Sequence, residues 1–165
     1  MVTPEGNLVD YMRVDSEQEP NGNFALECPA DGLTRYKVAA KINISADGKT
    51  ASFSPDNDFI NFPGALSKFT IRYDSVSGKY WSIANRITKT DNTYIGASNS
   101  PRNQRNVLVL YSSSDLFNWD ENYILLRWNE GEIITRRQNF GFQYADWQID
   151  GNDIVAVVRT AWDVS

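Results

Sequence analysis

The sequence predicts an all-β chain. Aromatic residues make up 13% of its 165 positions and β-branched residues are frequent, which suits pleated, half-buried surfaces. No segment keeps a 3.6-residue apolar period for three turns, and the apolar runs are short and bounded by Gly, Asp and Ser turn signals.

In chain order, "RYKVAAKINIS" ends at "ADGK", with Asp47-Gly48 at the corner, and "TASFSP" returns. A dipeptide of that type is a strong hairpin signal because glycine takes the positive φ the turn needs. "KFTIRYD" turns through "SVSGK" into "KYWSIANR", and "RNVLVLYSS" turns through "SDLFNW" into "ENYILLRW". "FGFQYADWQI" turns at "DGND" into "IVAVVRTAW". Strand, tight turn, strand, longer loop, strand, polar corner, strand spans about residues 68–128. That is the unit of a β-propeller blade, a four-stranded antiparallel sheet. Residues 36–62 read as the last two strands of a preceding blade and 140–162 as the first two of a following one. Short strands with frequent turns fit a β-sandwich of eight to ten strands equally well.

Composition removes several functions. A net charge of −5 argues against unassisted binding to nucleic acid or an acidic membrane, which needs an excess of Lys and Arg. The basic clusters Arg102/Arg105 and Arg136/Arg137 read as solvated loop charges. Cys28 is the only cysteine, so no intrachain disulfide or thiolate cluster is expected. Histidine is absent, and with it the usual neutral-pH base, Ser-His and Cys-His pairs and imidazole-bound zinc. Acid-base chemistry falls to carboxylates, tyrosine or lysine, and no cofactor or metal is expected. "SPDNDF" and "DGND" are acidic but lack the D-x-D-x-D-G pattern of a calcium loop and read as turns. No run of 18 apolar residues occurs and the first residues lack a basic, then apolar, export pattern.

The corner "SSDLFNW" ends a strand in Ser113 and Asp115 and places Trp119 four positions after the aspartate. Such side chains bond turn amides. The corner resembles the Asp-box, or BNR repeat, of sialidase-type propellers, in which Ser/Thr and Asp cap the turn while a Trp packs between sheet layers. It lacks the box's glycine and has one residue fewer before the Trp, closer to the S-x-D-L-x-x-W corner of many glycosidase propellers. "SADGKT", containing Asp47, is similar to a degenerate second copy, with Phe53 where the Trp would stand. Together with "FINFPGALSKFTIRYDSVSGKYWSIANR" and "FGFQYADWQIDGNDIVAVVRTAWD", these runs resemble the C-terminal half of bacterial sialidase-like proteins over about residues 36–163.

The resemblance implies that residues 1–165 form a single partial propeller of roughly two and a half blades, where closed rings have four to eight. Relatives continue past "RTAWD" into a His- and Asn-rich loop, so the chain is expected to be a fragment, inactive alone, from a secreted or periplasmic parent. Exposed blade faces would then drive self-association. The implied function is glycoside hydrolysis of a terminal acidic sugar, with a carbohydrate ligand as partner. The alternative is a non-catalytic glycan-binding or scaffolding module.

In a propeller the pocket is built from the early part of inner strands and from overhanging loops. This selects Lys68 to Arg72, the loop from Thr88 to Arg105, and Gln143 to Asp146. Sialidases clamp the substrate carboxylate with arginine forks and use a tyrosine nucleophile with acidic partners. The resemblance therefore suggests Tyr144 and Asp146 as catalytic, and Lys68, Arg72, Arg105, Gln143 and Arg159 as substrate-binding, with Arg86 a further clamp candidate. Two apart on one strand, Tyr144 and Asp146 would share a face. The structural reading of the same residues makes Tyr144 core, Asp146 a loop tie, and Arg72 and Arg159 ion pairs between blades. Ser113, Asp115, Trp119 and Asp47 are turn residues at the opposite end. Trp81, Trp128 and Trp162 read as fillers of blade interfaces.

Overall fold

The computed structural model describes residues 1–14, 37–87, 104–128 and 141–161. Cys28, Arg102, Arg136, Arg137, Trp162 and the loop 88–103 lie outside them. The fold is all-β: among the described residues ten strands form three antiparallel sheets, none of them closed.

The first sheet holds β1 (Leu8–Arg13), β2 (Val38–Ile44), β3 (Ala51–Ser52) and β4 (Phe59–Asn61). β1 pairs along nearly all of β2, from Leu8 opposite Ile44 to Arg13 opposite Ala39. This strand is absent from the sequence reading, and it adds a full edge to what was read as a two-stranded remnant. The other edge is broken. β3 pairs the end of β2 and β4 its start, and between them the chain loops out over Ser54 to Asp58. Asp58 holds that loop: its carboxylate accepts from Ser54 N at 2.8 Å and Asn43 Nδ2 at 3.1 Å, and pairs with Lys41 Nζ at 3.1 Å. At 5% exposure such a carboxylate needs all of these partners.

The second sheet is a meander of β5 (Ile71–Asp74), β6 (Lys79–Asn85), β7 (Val107–Ser113) and β8 (Asp120–Arg127), paired in that order. Its first hairpin closes where Asp74 accepts the amides of Val76 and Ser77 at 3.1 and 2.9 Å and Gly78 takes φ 66°. The third sheet is a hairpin of β9 (Gly141–Asp150) and β10 (Asp153–Ala161).

The meander lies in the middle. One face, through Ala84, Val107, Val109 and Tyr111, packs on Ala39 of β2, Ile60 of β4, and on Phe62 and Ala65. The other, through Ile83 and Leu108, packs on Ala145 and Trp147 of β9, with Trp81, Phe142, Ile154 and Val158 at the margin. Successive residues of β6 and β7 thus serve two cores, which is why these strands read as continuous apolar runs. Phe62, with no exposed surface, meets Phe69 and Trp119 at centroid distances of 4.7 Å and Tyr111 at 5.8 Å. Burying each such ring contributes about 1.5–3 kcal/mol. At Gly64 the first interface is tightest: a Cβ there would lie 2.3 Å from that of Ala84, so only glycine allows this approach.

Candidate functional site

The sheets are joined at one end by polar contacts, and the sequence-selected residues divide between those contacts and a cleft beside them. Arg72, on β5, is committed to the joint. Its Nε donates to the Trp147 carbonyl at 2.7 Å, its Nη2 lies 3.3 Å from Asp146 Oδ1, and its guanidinium sits 5.6 Å from the Trp147 ring centroid. Trp147 in turn donates through Nε1 to the Thr70 carbonyl at 3.2 Å, and Asp146 accepts its neighbour's amide, Trp147 N, at 3.0 Å. Arg72 and Asp146 therefore tie β5 to β9. Arg86 is likewise engaged, by an ion pair with Glu121 on β8.

Tyr144 stands differently. The pairing of β9 with β10 slips here, so that Tyr144 and Ala145 together face Val158. Tyr144 takes φ 54° at this bulge, a left-handed conformation rare for a non-glycine residue. The residue is 51% exposed. Lys68 Nζ lies 5.9 Å and the Arg159 guanidinium 5.6 Å from its ring centroid, within range of a cation–π contact. Tyr144 and Asp146 are both exposed, with buried Ala145 between them, but their partners differ, Lys68 and Arg159 for one and Arg72 for the other.

Beside the ring opens a cavity of about 340 Å³ lined by Tyr11, Arg13, Ser67, Lys68, Phe69 and Tyr144. Among the described residues no carboxylate lines it. Arg105, half-buried, has its guanidinium pushed below the ordinary value by burial and by Arg13, while Tyr144 opposes the shift, so it lies within electrostatic reach of two lining residues. Gly141 presses on Arg105, since a Cβ at that glycine would lie 2.6 Å from the Arg105 Cβ. Among the described residues no carboxylate pairs with Arg13, Lys68, Arg105 or Arg159, in a chain whose net charge is −5. Gln143, half-buried on β9, is in register with Arg159. Arg13 is the residue that sequence reasoning missed; with β1 unassigned, nothing in the pattern brought it near Tyr144.

Asn85 is a buried tie between strands. Only 3% exposed, it donates through Nδ2 to the carbonyls of Phe142 at 2.8 Å and of Arg105 and Val107 at 3.3 Å each. One amide thus fixes the end of β6 to the starts of β7 and β9.

The Ser113-Asp115 corner lies at the other end of β7, roughly 20 Å away at 3.3 Å per residue. Ser113 Oγ accepts Leu116 N at 2.8 Å, and Asp115 Oδ1 accepts the amides of Phe117 and Asn118 at 2.8 and 2.7 Å. These bonds, Asn118 first, hold the Asp115 carboxyl down to about 2. Ser45 and Asp47 repeat the pattern: Ser45 Oγ donates to Asp47 at 2.6 Å, and Asp47 accepts Lys49 N at 3.1 Å. Trp119 packs on Phe62 and donates to the Leu116 carbonyl at 3.1 Å, while Phe53 stacks edge-on against Phe59 at 5.1 Å. Trp81 packs against the β9 core. Trp128 bonds Asn106 through its backbone N at 2.8 Å.

A second cavity, of about 360 Å³, opens at the corner end and is lined by both signs of charge, among them Glu5, Lys41 and Asp115. Tyr11 reaches both cavities, and its buried hydroxyl has no hydrogen-bond partner among the described residues. Among the described residues no three His, Cys, Asp or Glu side chains group as metal ligands, and no helix is long and apolar enough to cross a membrane. Comparison with known protein families, curated proteins and solved structures finds no match to this chain.

Proposed function

We propose that the chain is part of a sialidase-like β-propeller and that its cleft binds the terminal acidic sugar of a glycan. The observation that carries this reading is the set of cations around Tyr144. Lys68 and Arg159 flank an exposed aromatic face, Arg13 lines the same cleft, Arg105 lies within electrostatic reach of Tyr144 and Arg13, and none has a carboxylate partner among the described residues. A sugar ring stacks on such a face while its carboxylate is taken by guanidinium forks. The propeller part is supported by a four-stranded meander packed on both faces, and by two Ser-x-Asp corners built alike.

Binding is favoured over hydrolysis. Asp146, the carboxylate nearest to Tyr144 in sequence, is engaged by Arg72 and by its own strand, and no acid among the described residues lines the cleft. The test is calorimetric titration with a sialylated oligosaccharide and its desialylated counterpart. The sialylated sugar is expected to bind, more weakly as salt rises, and Arg105→Ala to weaken it by about tenfold to a hundredfold, the loss of bonds to a charged group. Equal binding of both sugars, or of neither, overturns the proposal. Chromophore release from a sialoside would restore the hydrolytic reading, with Tyr144 as its first candidate.

A further inference from the structure

We propose that the cleft takes a glycan carrying two acidic groups on adjacent sugars, one seated at Arg13 and Arg105 and the other at Lys68 and Arg159, with Tyr144 common to both seats. This rests on the reading of the cleft as a sugar site and adds the number of charges the ligand must bring. Lys68 Nζ and the Arg159 guanidinium lie 5.9 and 5.6 Å from the Tyr144 ring centroid. Arg13 lines the cleft with Lys68 and Tyr144, and the Arg105 guanidinium feels both Arg13 and Tyr144. The cations therefore fall into two pairs, and one tyrosine adjoins both.

Elsewhere on the described frame cations are matched by acids. Lys41, Arg72 and Arg86 meet Asp58, Asp146 and Glu121 in turn, in a chain where Asp and Glu outnumber Lys and Arg by 21 to 16. At the cleft no carboxylate among the described residues plays that part. The first pair is held together against repulsion. Burial and Arg13 both disfavour the charge on Arg105, yet its main chain is fixed there, its carbonyl accepting Phe142 N at 2.9 Å and Asn85 Nδ2 at 3.3 Å. One carboxylate fills one guanidinium fork or bridges two, so a single acid relieves Arg13 and Arg105. It leaves Lys68 and Arg159 as like charges around one ring, where a covering sugar would strip their water and return no anion. A second acid on the neighbouring sugar meets them. Lys68 brings a point charge with rotating donors and Arg159 a planar fork, so this seat accepts a carboxylate or a sulfate ester.

The experiment is calorimetric titration of the full chain with three oligosaccharides: one monosialylated, one with two linked sialic acids, and one monosialylated with a sulfate ester on the adjacent sugar. At least one doubly charged sugar is expected to bind about tenfold or more tighter than the monosialylated one, with a steeper loss as salt rises. The tighter of the two identifies the second group as carboxylate or sulfate. Lys68 and Arg159 are exposed, so Lys68→Gln and Arg159→Gln are expected to keep the fold by circular dichroism and to cut that preference about tenfold, whereas Arg105→Ala weakens all three sugars. Equal affinity for singly and doubly charged sugars overturns this proposal and leaves recognition of the acidic sugar standing; binding of none overturns both. A preference that survives both Lys68→Gln and Arg159→Gln also overturns it, as does displacement of the doubly charged sugar by free sulfate at equal concentration.

Discussion

Replacing Asn85 by aspartate changes one atom, and the structure makes it among the most costly exchanges in the chain. The amide donates to three carbonyls, those of Phe142, Arg105 and Val107. Two keep another donor: Arg105 O accepts Phe142 N at 2.9 Å, and Val107 O accepts Arg86 N at 3.1 Å. Asn85→Ala therefore loses mainly the 2.8 Å bond to Phe142 and leaves a small void, a cost of about 2–3 kcal/mol. For a chain of this size that is a fall in Tm of about 4–12 °C. Asn85→Asp does worse at neutral pH, because it points a buried charge at three carbonyl oxygens. Those oxygens and the burial raise the folded-state pKa of the new carboxyl above its unfolded value. The penalty is thus present above the folded pKa and fades as pH falls through it, when the protonated acid can donate to one carbonyl. Thermal unfolding followed by circular dichroism from pH 8 to pH 4 reads this directly. A variant as stable as the parent at pH 8, or one whose deficit grows on acidification, would refute the role given to Asn85.

Two further substitutions test the rest of the frame. Asp115 is depressed to about 2, so the stability it adds is present above its ordinary value of 3.8 and is lost as pH falls through about 2. Asp115→Ala is accordingly expected to be less stable than the parent at pH 6, with the gap closing towards pH 2 in urea unfolding. Phe62→Ala, which empties the centre of the ring cluster, is expected to cost about 3–5 kcal/mol in the same assay, and a loss under 1 kcal/mol would mean that the first and second sheets are not held there.

Much of the strand pattern was legible because its turns carry their own chemistry. Asp47-Gly48, Ser77-Gly78 and Asp150-Gly151 each mark a corner where glycine takes φ between 61° and 70°, and strands begin and end within a few residues of these signals. β1 was not legible. "LVDYMR" has no turn residues tying it to β2, which lies across a long stretch of chain, and pairing over such distances leaves no local trace. The break between β3 and β4 was hidden for a similar reason, since it depends on Lys41 and Asn43 reaching Asp58. At the site, residue type suggested arginines and a tyrosine but could not sort them. Arg72 meets Asp146 across 74 positions, and that contact separates it from Arg105, which has the same chemistry without a carboxylate partner among the described residues. The bulge at Tyr144 was likewise invisible, because it is a relation between two strands and belongs to neither sequence alone.

The cleft draws its charges from all three layers: Arg13 from the first sheet, Lys68 and Arg105 from segments flanking the middle one, Arg159 from the third. Stacked sheets lie about 10 Å apart, and here that separation is metered by small residues, Ala39, Ala65, Ala84 and Gly64 on one side of the meander and Ala145 on the other. The aperture between the cations is therefore set by alanines that no ligand would touch. A methyl group added to that gauge would reach the cleft as a change in its width, with every charged side chain still in place.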